Sequence, residues 1–226
     1  MKVYLVIAVI GLIGLASCEK AELKKPVDVN FSFKMIQDQG DQGLQVQFGE
    51  INLTKFDVVG DRVEGDDISF MRSFQEGLNS DLNGSAEIKE LAYDLPQGDY
   101  QKLDIQMGAS SINGQPSLIL EGKYKNGPDS RDFSFEVSEE LLFDIEGMDE
   151  AASQFILLDK DMPKKVNIEF NVDDWFALVD DTMWTNADLI SQNGEDLVLI
   201  STTDNIPIYQ LVVGRIIQDN KAIFKN

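Results

Sequence analysis

The sequence predicts a mainly β protein, an antiparallel β-sandwich with a few helices added mostly near the C-terminus. Three observations carry this. Seven or so runs alternate apolar and polar residues, turn signals recur every ten to fifteen residues, and helical spacing gathers late in the chain. The chain has 226 residues with 43% apolar, enough for one packed core.

"VDVNFSFKMI" opens the alternation, with Val27, Val29, Phe31, Phe33 and Met35 on one face. "DQGDQG" is a turn. "LQVQFGEINLTKFDVV" alternates with a slip of parity, from Leu44, Val46 and Phe48 to Ile51 and Leu53, which predicts a β-bulge at Gly49. In "DDISFMRSFQEGLN", Phe70, Phe74 and Leu78 recur every four residues, which predicts a short helix capped by Asp67 or Ser69. Leu91, Tyr93 and Leu95, then Leu103, Ile105 and Met107, predict two strands joined as a hairpin by "PQGD". "SLILEGKY" and "FSFEV" form a second hairpin around Asn126-Gly127.

"SEELLFDIEG" fits either structure, and a weak boundary falls near Gly147. Val166, Ile168, Phe170 and Val172 mark a further strand. Asp173 is placed to cap a helix over "DWFALVDD". Ile208, Leu211, Val212, Arg215 and Ile216 have helical spacing, and Asn205 and Pro207 suit its start. Trp175, Phe176, Trp184 and this helix are expected to form a satellite core.

The N-terminus has its own logic. Lys2 is the only charge before Cys18, and Val3 to Ala16 is almost wholly apolar. Fourteen helical residues reach about 21 Å, short of a bilayer core, so the run reads as a secretory signal rather than a span. A core helix is the alternative, disfavoured because the run is apolar on every face. Leu15-Ala16-Ser17-Cys18 resembles the lipobox of bacterial lipoproteins. That resemblance implies cleavage before Cys18, lipid on its sulfur and amine, and an exported chain anchored to the outer membrane. Residues 1–17 are then the signal, 18–26 a tether, and 27–226 one domain.

Charge and composition exclude several classes. With 19 basic and 40 acidic residues the net charge is −21, which repels nucleic acid and anionic membrane surfaces alike. A lipid anchor explains how such a chain stays at a membrane. Histidine is absent and Cys18 is the only cysteine, which removes Ser/His and Cys/His nucleophile pairs, Cys/His zinc sites and internal disulfides.

Leu95-Pro96-Gln97-Gly98-Asp99-Tyr100, followed by "QKLDIQM", resembles the "LPxGxY" turn of a lipoprotein domain family common in Bacteroidetes, over residues 27 to 145. It implies a sandwich of prealbumin- or immunoglobulin-like kind; the family carries no agreed activity.

Four constellations bear on chemistry. Asn79, Asp81, Asn83, Ser85 and Glu90 fit a calcium-loop template, with Gly84 at its sharp bend. A plain turn at Asn83-Gly84 entering a strand explains the same residues. The pairs Asp66-Asp67, Asp173-Asp174 and Asp180-Asp181 admit a carboxylate-dependent glycoside hydrolase, with helix capping as the simpler account of the second. Asp181-Thr182-Met183 resembles the Bacteroidetes O-glycosylation sequon, with Thr182 as acceptor. Trp175, Tyr93 and Tyr100 could form a sugar platform, or core packing. The reading drawn from these residues is a non-catalytic, lipid-anchored module that binds a glycan or a protein, with hydrolase or calcium-stabilised adhesion as alternatives.

Overall fold

The computed structural model describes residues 23–37, 43–84, 86–192, 194–218 and 220–225. The chain is mainly β, with 60% strand against 13% helix. The strands are β1 (Pro26–Ile36), β2 (Gly43–Arg62), β3 (Ile68–Asp81), β4 (Ala92–Pro96), β5 (Gly98–Ala109), β6 (Leu118–Asn126) and β7 (Asp129–Val137). They continue as β8 (Leu141–Asp149), β9 (Ile156–Leu158), β10 (Lys164–Asn171), β11 (Ile190–Gln192), β12 (Glu195–Ile200) and β13 (Lys221–Lys225). All thirteen join one curled sheet, ordered β11-β12-β7-β6-β2-β5-β8-β13-β10-β1-β4, with β3 on β2 and β9 on β5. The sheet is mixed: β1 with β10, β7 with β12 and β8 with β13 run parallel.

Alternation in β1 buries Val27, Val29, Phe31 and Phe33 completely. The sheet curls until its distant parts face each other across this core. The Phe31 ring lies 5.0 Å from Phe56 of β2 and 5.8 Å from Tyr93 of β4. Two strands make the curl by changing partners along their length. β2 pairs first with β6 and then with β5, while β8 pairs with β5 to Ile145 and with β13 from Glu146. Gly147 therefore lies within β8.

The parity slip in β2 is real but misplaced. The register against β6 skips Gln47, and a second irregularity at Thr54 restores the first parity. Val46, Ile51, Leu53, Phe56 and Val58 all reach the core, and Phe48 is left outside at 39% exposure. Gly49 is needed for another reason: a Cβ there would meet Met35 Sδ at 2.9 Å and Leu120 Cδ2 at 3.0 Å.

Residues 68–81 form a strand, not the expected helix. A spacing of four is also twice two, so Phe70, Phe74 and Leu78 share a strand face as readily as a helix face. Pairing with β2 along its length decides between them. The expected caps are used otherwise: Asp67 Oδ1 accepts from the Arg62 amide, and Ser69 Oγ donates to Asp57.

β4 and β5 are not a hairpin. Pro96 pairs with Pro26 of β1, whereas Gly98 pairs with Leu158 of β9, so Pro96-Gln97-Gly98 is a corner between two parts of the sheet. Arg62 holds it. Its Nη2 donates to Gln97 O at 2.6 Å and Leu23 O at 2.7 Å. Gly98 has φ +140°, and a Cβ there would lie 3.1 Å from the same nitrogen. Tyr100 OH donates back to Pro96 O at 2.7 Å, a tyrosine-corner arrangement. The hairpin at Asn126-Gly127 forms as expected, from β6 and β7.

Three α-helices lie in the described residues: α1 (Val172–Phe176), α2 (Asp181–Asn186) and α3 (Ile206–Ile216). α1 is capped by Asn171, whose side chain accepts from the Asp174 amide, and not by Asp173. α3 buries Ile208, Tyr209, Val212 and Ile216. The expected satellite core is continuous with the main one. Trp175 meets Phe170 at 5.7 Å, and Trp184 meets Phe133 at 5.4 Å.

Replacing the buried Arg62 with alanine strips charged donors from two carbonyls at once. Arg62→Ala is expected to cost about 2 to 3 kcal/mol in urea unfolding, with an unchanged m-value.

Candidate functional site

A cleft of about 540 Å³ lies between α2 and the start of α3. Asp180 caps α2, its Oδ1 accepting from the Met183 amide at 2.9 Å. Asn205 stands at the start of α3 with φ 47°, and its side chain turns away from the helix. Oδ1 accepts from the Asp188 amide at 2.8 Å, and Nδ2 donates to Asp188 O at 3.0 Å and Leu199 O at 2.7 Å. One asparagine thus clips the segment after α2 to the head of α3 and fixes the cleft width.

Behind α2 lies an aromatic pair that holds the helix in place. Trp184 is buried and stacks on Tyr124, centroids 4.7 Å apart and planes 8° apart. Tyr124 OH donates to Asp181, and Arg131 Nη1 donates to the carbonyls of Trp184 and Ala187. Above it, Met183, Ile206 and Pro207 present apolar surface, while Asp180, Asp188, Thr182 and Thr203 supply polar atoms. Two carboxylates beside an apolar wall suit a neutral or cationic group and repel an anion.

The cleft and the start of β1 lie at opposite ends of the sheet. β1 runs from Pro26, beside the Arg62 corner, to Ile36, which pairs with Asn171 at the start of α1. β2 runs the other way: Arg62 closes it, and its first residues, Gly43 and Leu44, pair with Lys125 and Tyr124 below α2.

The sequence candidates scatter. Cys18 and Ser85 lie outside the described residues. Asn79 and Asp81 are on β3, where Asn79 Nδ2 donates to Gln115 Oε1 at 2.8 Å. Asp81 Oδ1 accepts from the Asn83 amide at 2.7 Å, and Asn83 Nδ2 donates to Gln47 O at 2.7 Å. Glu90 sits in a 3-10 turn, its carbonyl bound by Arg72. Among the described residues, no three acidic or cysteine side chains gather as a metal site. Asp67, Asp174, Asp180 and Asp181 each accept a local structural hydrogen bond. Thr182 is exposed and lines the cleft. Tyr93, Tyr100 and Trp175 are buried, so the aromatic platform is packing. Asp188 carries no sequence signal and Asn205 reads only as a helix start, because the two are seventeen residues apart and meet only through the fold.

Compared with protein families, characterised proteins and solved structures, the chain matches none. No helix among the described residues is long and apolar enough to cross a membrane.

Burial pushes the phenols of Tyr93, Tyr100 and Tyr124 up to about 12, with Asp181 adding to the effect at Tyr124. Burial, then the bond to Glu139, raises Tyr209 as well. The unfolded chain ionises near 10, so each phenol contributes stability that is complete below pH 10 and lost as pH rises toward 12. Tyrosinate absorbance at 295 nm is expected to rise together with loss of circular dichroism in that window; full ionisation at pH 10 with structure intact would contradict it.

Proposed function

We propose that the chain is an exported lipoprotein, acylated at Cys18 and held at the outer membrane, whose domain is a non-catalytic binding module. Leu15-Ala16-Ser17-Cys18, at the end of an apolar run headed by Lys2, is the observation that carries the reading. The short distance to the folded body supports it: Leu23 is already bound to Arg62, leaving a brief tether. The packing of Phe31 against Phe56 supports the finer reading of a prealbumin- or immunoglobulin-like sandwich. The "LPxGxY" residues, folded into the Arg62 corner, support kinship with the Bacteroidetes lipoprotein domains.

The cleft between α2 and α3 is the proposed binding site, and its place far from the tether suits a module that presents a ligand site outward. Every described tryptophan and tyrosine is buried, so none of them offers the cleft the stacking face a sugar ring needs. A partner protein with a neutral or basic segment fits the cleft better than a glycan.

Cys18→Ala is expected to abolish incorporation of labelled palmitate and to move the protein to the soluble fraction. Unchanged labelling and fractionation would reject the lipoprotein reading.

Asp180 and Asp188 flank the same cleft, which keeps the glycoside hydrolase as a second reading. One Asp180 oxygen is committed to the α2 cap, which favours the non-catalytic one. The wild type and Asp188→Asn are expected to be equally inactive on a panel of aryl glycosides. Turnover by the wild type that the substitution removes would establish the hydrolase.

A further inference from the structure

The end of the domain where the tether enters carries an apolar rim. Gln97 N donates to Lys25 O at 2.8 Å, and β9 pairs with Gly98, Asp99 and Tyr100, so the tether, the Pro96–Gly98 corner and β9 converge. Four large apolar side chains stand in solvent there. Val63 is 49% exposed and its amide donates to Asp99 O at 2.9 Å. Leu157, 52% exposed, is the strand partner of the same Asp99. Phe155 is 65% exposed on β9's approach, and Met162, 41% exposed, closes the turn after it. Single exposed apolar residues are ordinary, but four around one corner are a patch.

The covalent path limits what this patch can face. Five residue steps separate Cys18 from Leu23, and even fully extended they span at most about 18 Å. A lipid on Cys18 therefore holds the corner within one leaflet's thickness of the membrane surface. At that distance the tether makes a weak apolar contact effectively intramolecular.

We propose that Val63, Phe155, Leu157 and Met162 seat the domain on the leaflet that holds the Cys18 acyl chains; this rests on the lipoprotein reading. The contact is apolar and shallow, at the boundary of headgroups and acyl chains. It is not an electrostatic one, because Lys160 at this end is paired with Asp161 and the whole chain is acidic. Seating this end directs the cleft between α2 and α3 away from the membrane.

The test places Phe155→Trp in the lipidated full chain and reconstitutes it into phosphatidylcholine vesicles with brominated acyl chains. Trp175 and Trp184, buried at the far end, give the background. The added emission is expected to fall by about half or more relative to unbrominated vesicles. Leu178→Trp, exposed beside α1 at the far end, is expected to be unaffected. Equal emission of Phe155→Trp in both vesicles while the intact mass includes the acyl groups, or equal quenching of Leu178→Trp, overturns the proposal. A mass without acyl groups rejects the lipoprotein reading itself.

Discussion

A single buried guanidinium organises one end of the molecule. Arg62 closes the longest strand and binds the carbonyls of Gln97 and Leu23, so β2, the corner into β5 and the approach to β1 meet on one side chain. Its Cζ also lies 5.7 Å from the centre of the Tyr100 ring, whose hydroxyl turns back to Pro96. Nη2 is satisfied by the two carbonyls, while the buried Nε has no hydrogen-bond partner among the described residues. This matters because burying a cation is costly, and two carbonyls in fixed positions offset much of that cost. The direction of β1, the start of β5 and the place of β9 all follow from that corner. A related clamp stands between β3 and β4, where Arg72 lies over Tyr93 and binds Ala92 O at 2.5 Å.

The opposite end depends on aromatic packing. α1 and α2 are short and would not persist alone. They are held because Trp175, Phe176 and Trp184 complete a core that β7 and β10 leave open through Phe133, Phe135 and Phe170. α3 covers that layer with Tyr209 against Phe135. The cleft is the seam where α2 and α3 fail to meet, and Asn205 sets its width.

What the sequence made legible was local. The alternation of Val27 to Phe33 and the turn at Asn126-Gly127 depend on neighbours in the chain, and both read correctly. Pro96-Gln97-Gly98 showed that the chain turns but not which strands its arms would join, since Pro26 and Leu158 supply those partners from afar. The period of four at Phe70, Phe74 and Leu78 was compatible with two structures, and only the long free edge of β2 chose between them. β12 and β13 are short and escaped notice because each takes one parallel partner distant in sequence, β7 and β8. The cleft was the least legible part: Thr182 was singled out for another reason, and Asp188 and Asn205 acquire meaning only when seventeen residues of chain fold back.

The position of β13 has a consequence for how the chain can be handled before it folds. Residues 221–225 lie between β8 and β10, so a chain still lacking them has two unpaired edges in the middle of its sheet. The β1–β10 pairing likewise joins residues more than a hundred positions apart. The join between β8 and β10 must wait for β13, and contacts of such long sequence separation form slowly. Without those five residues the β2–β5–β8 side of the sheet and the β10–β1–β4 side have no strand between them, so β13 is the single strand that couples the two.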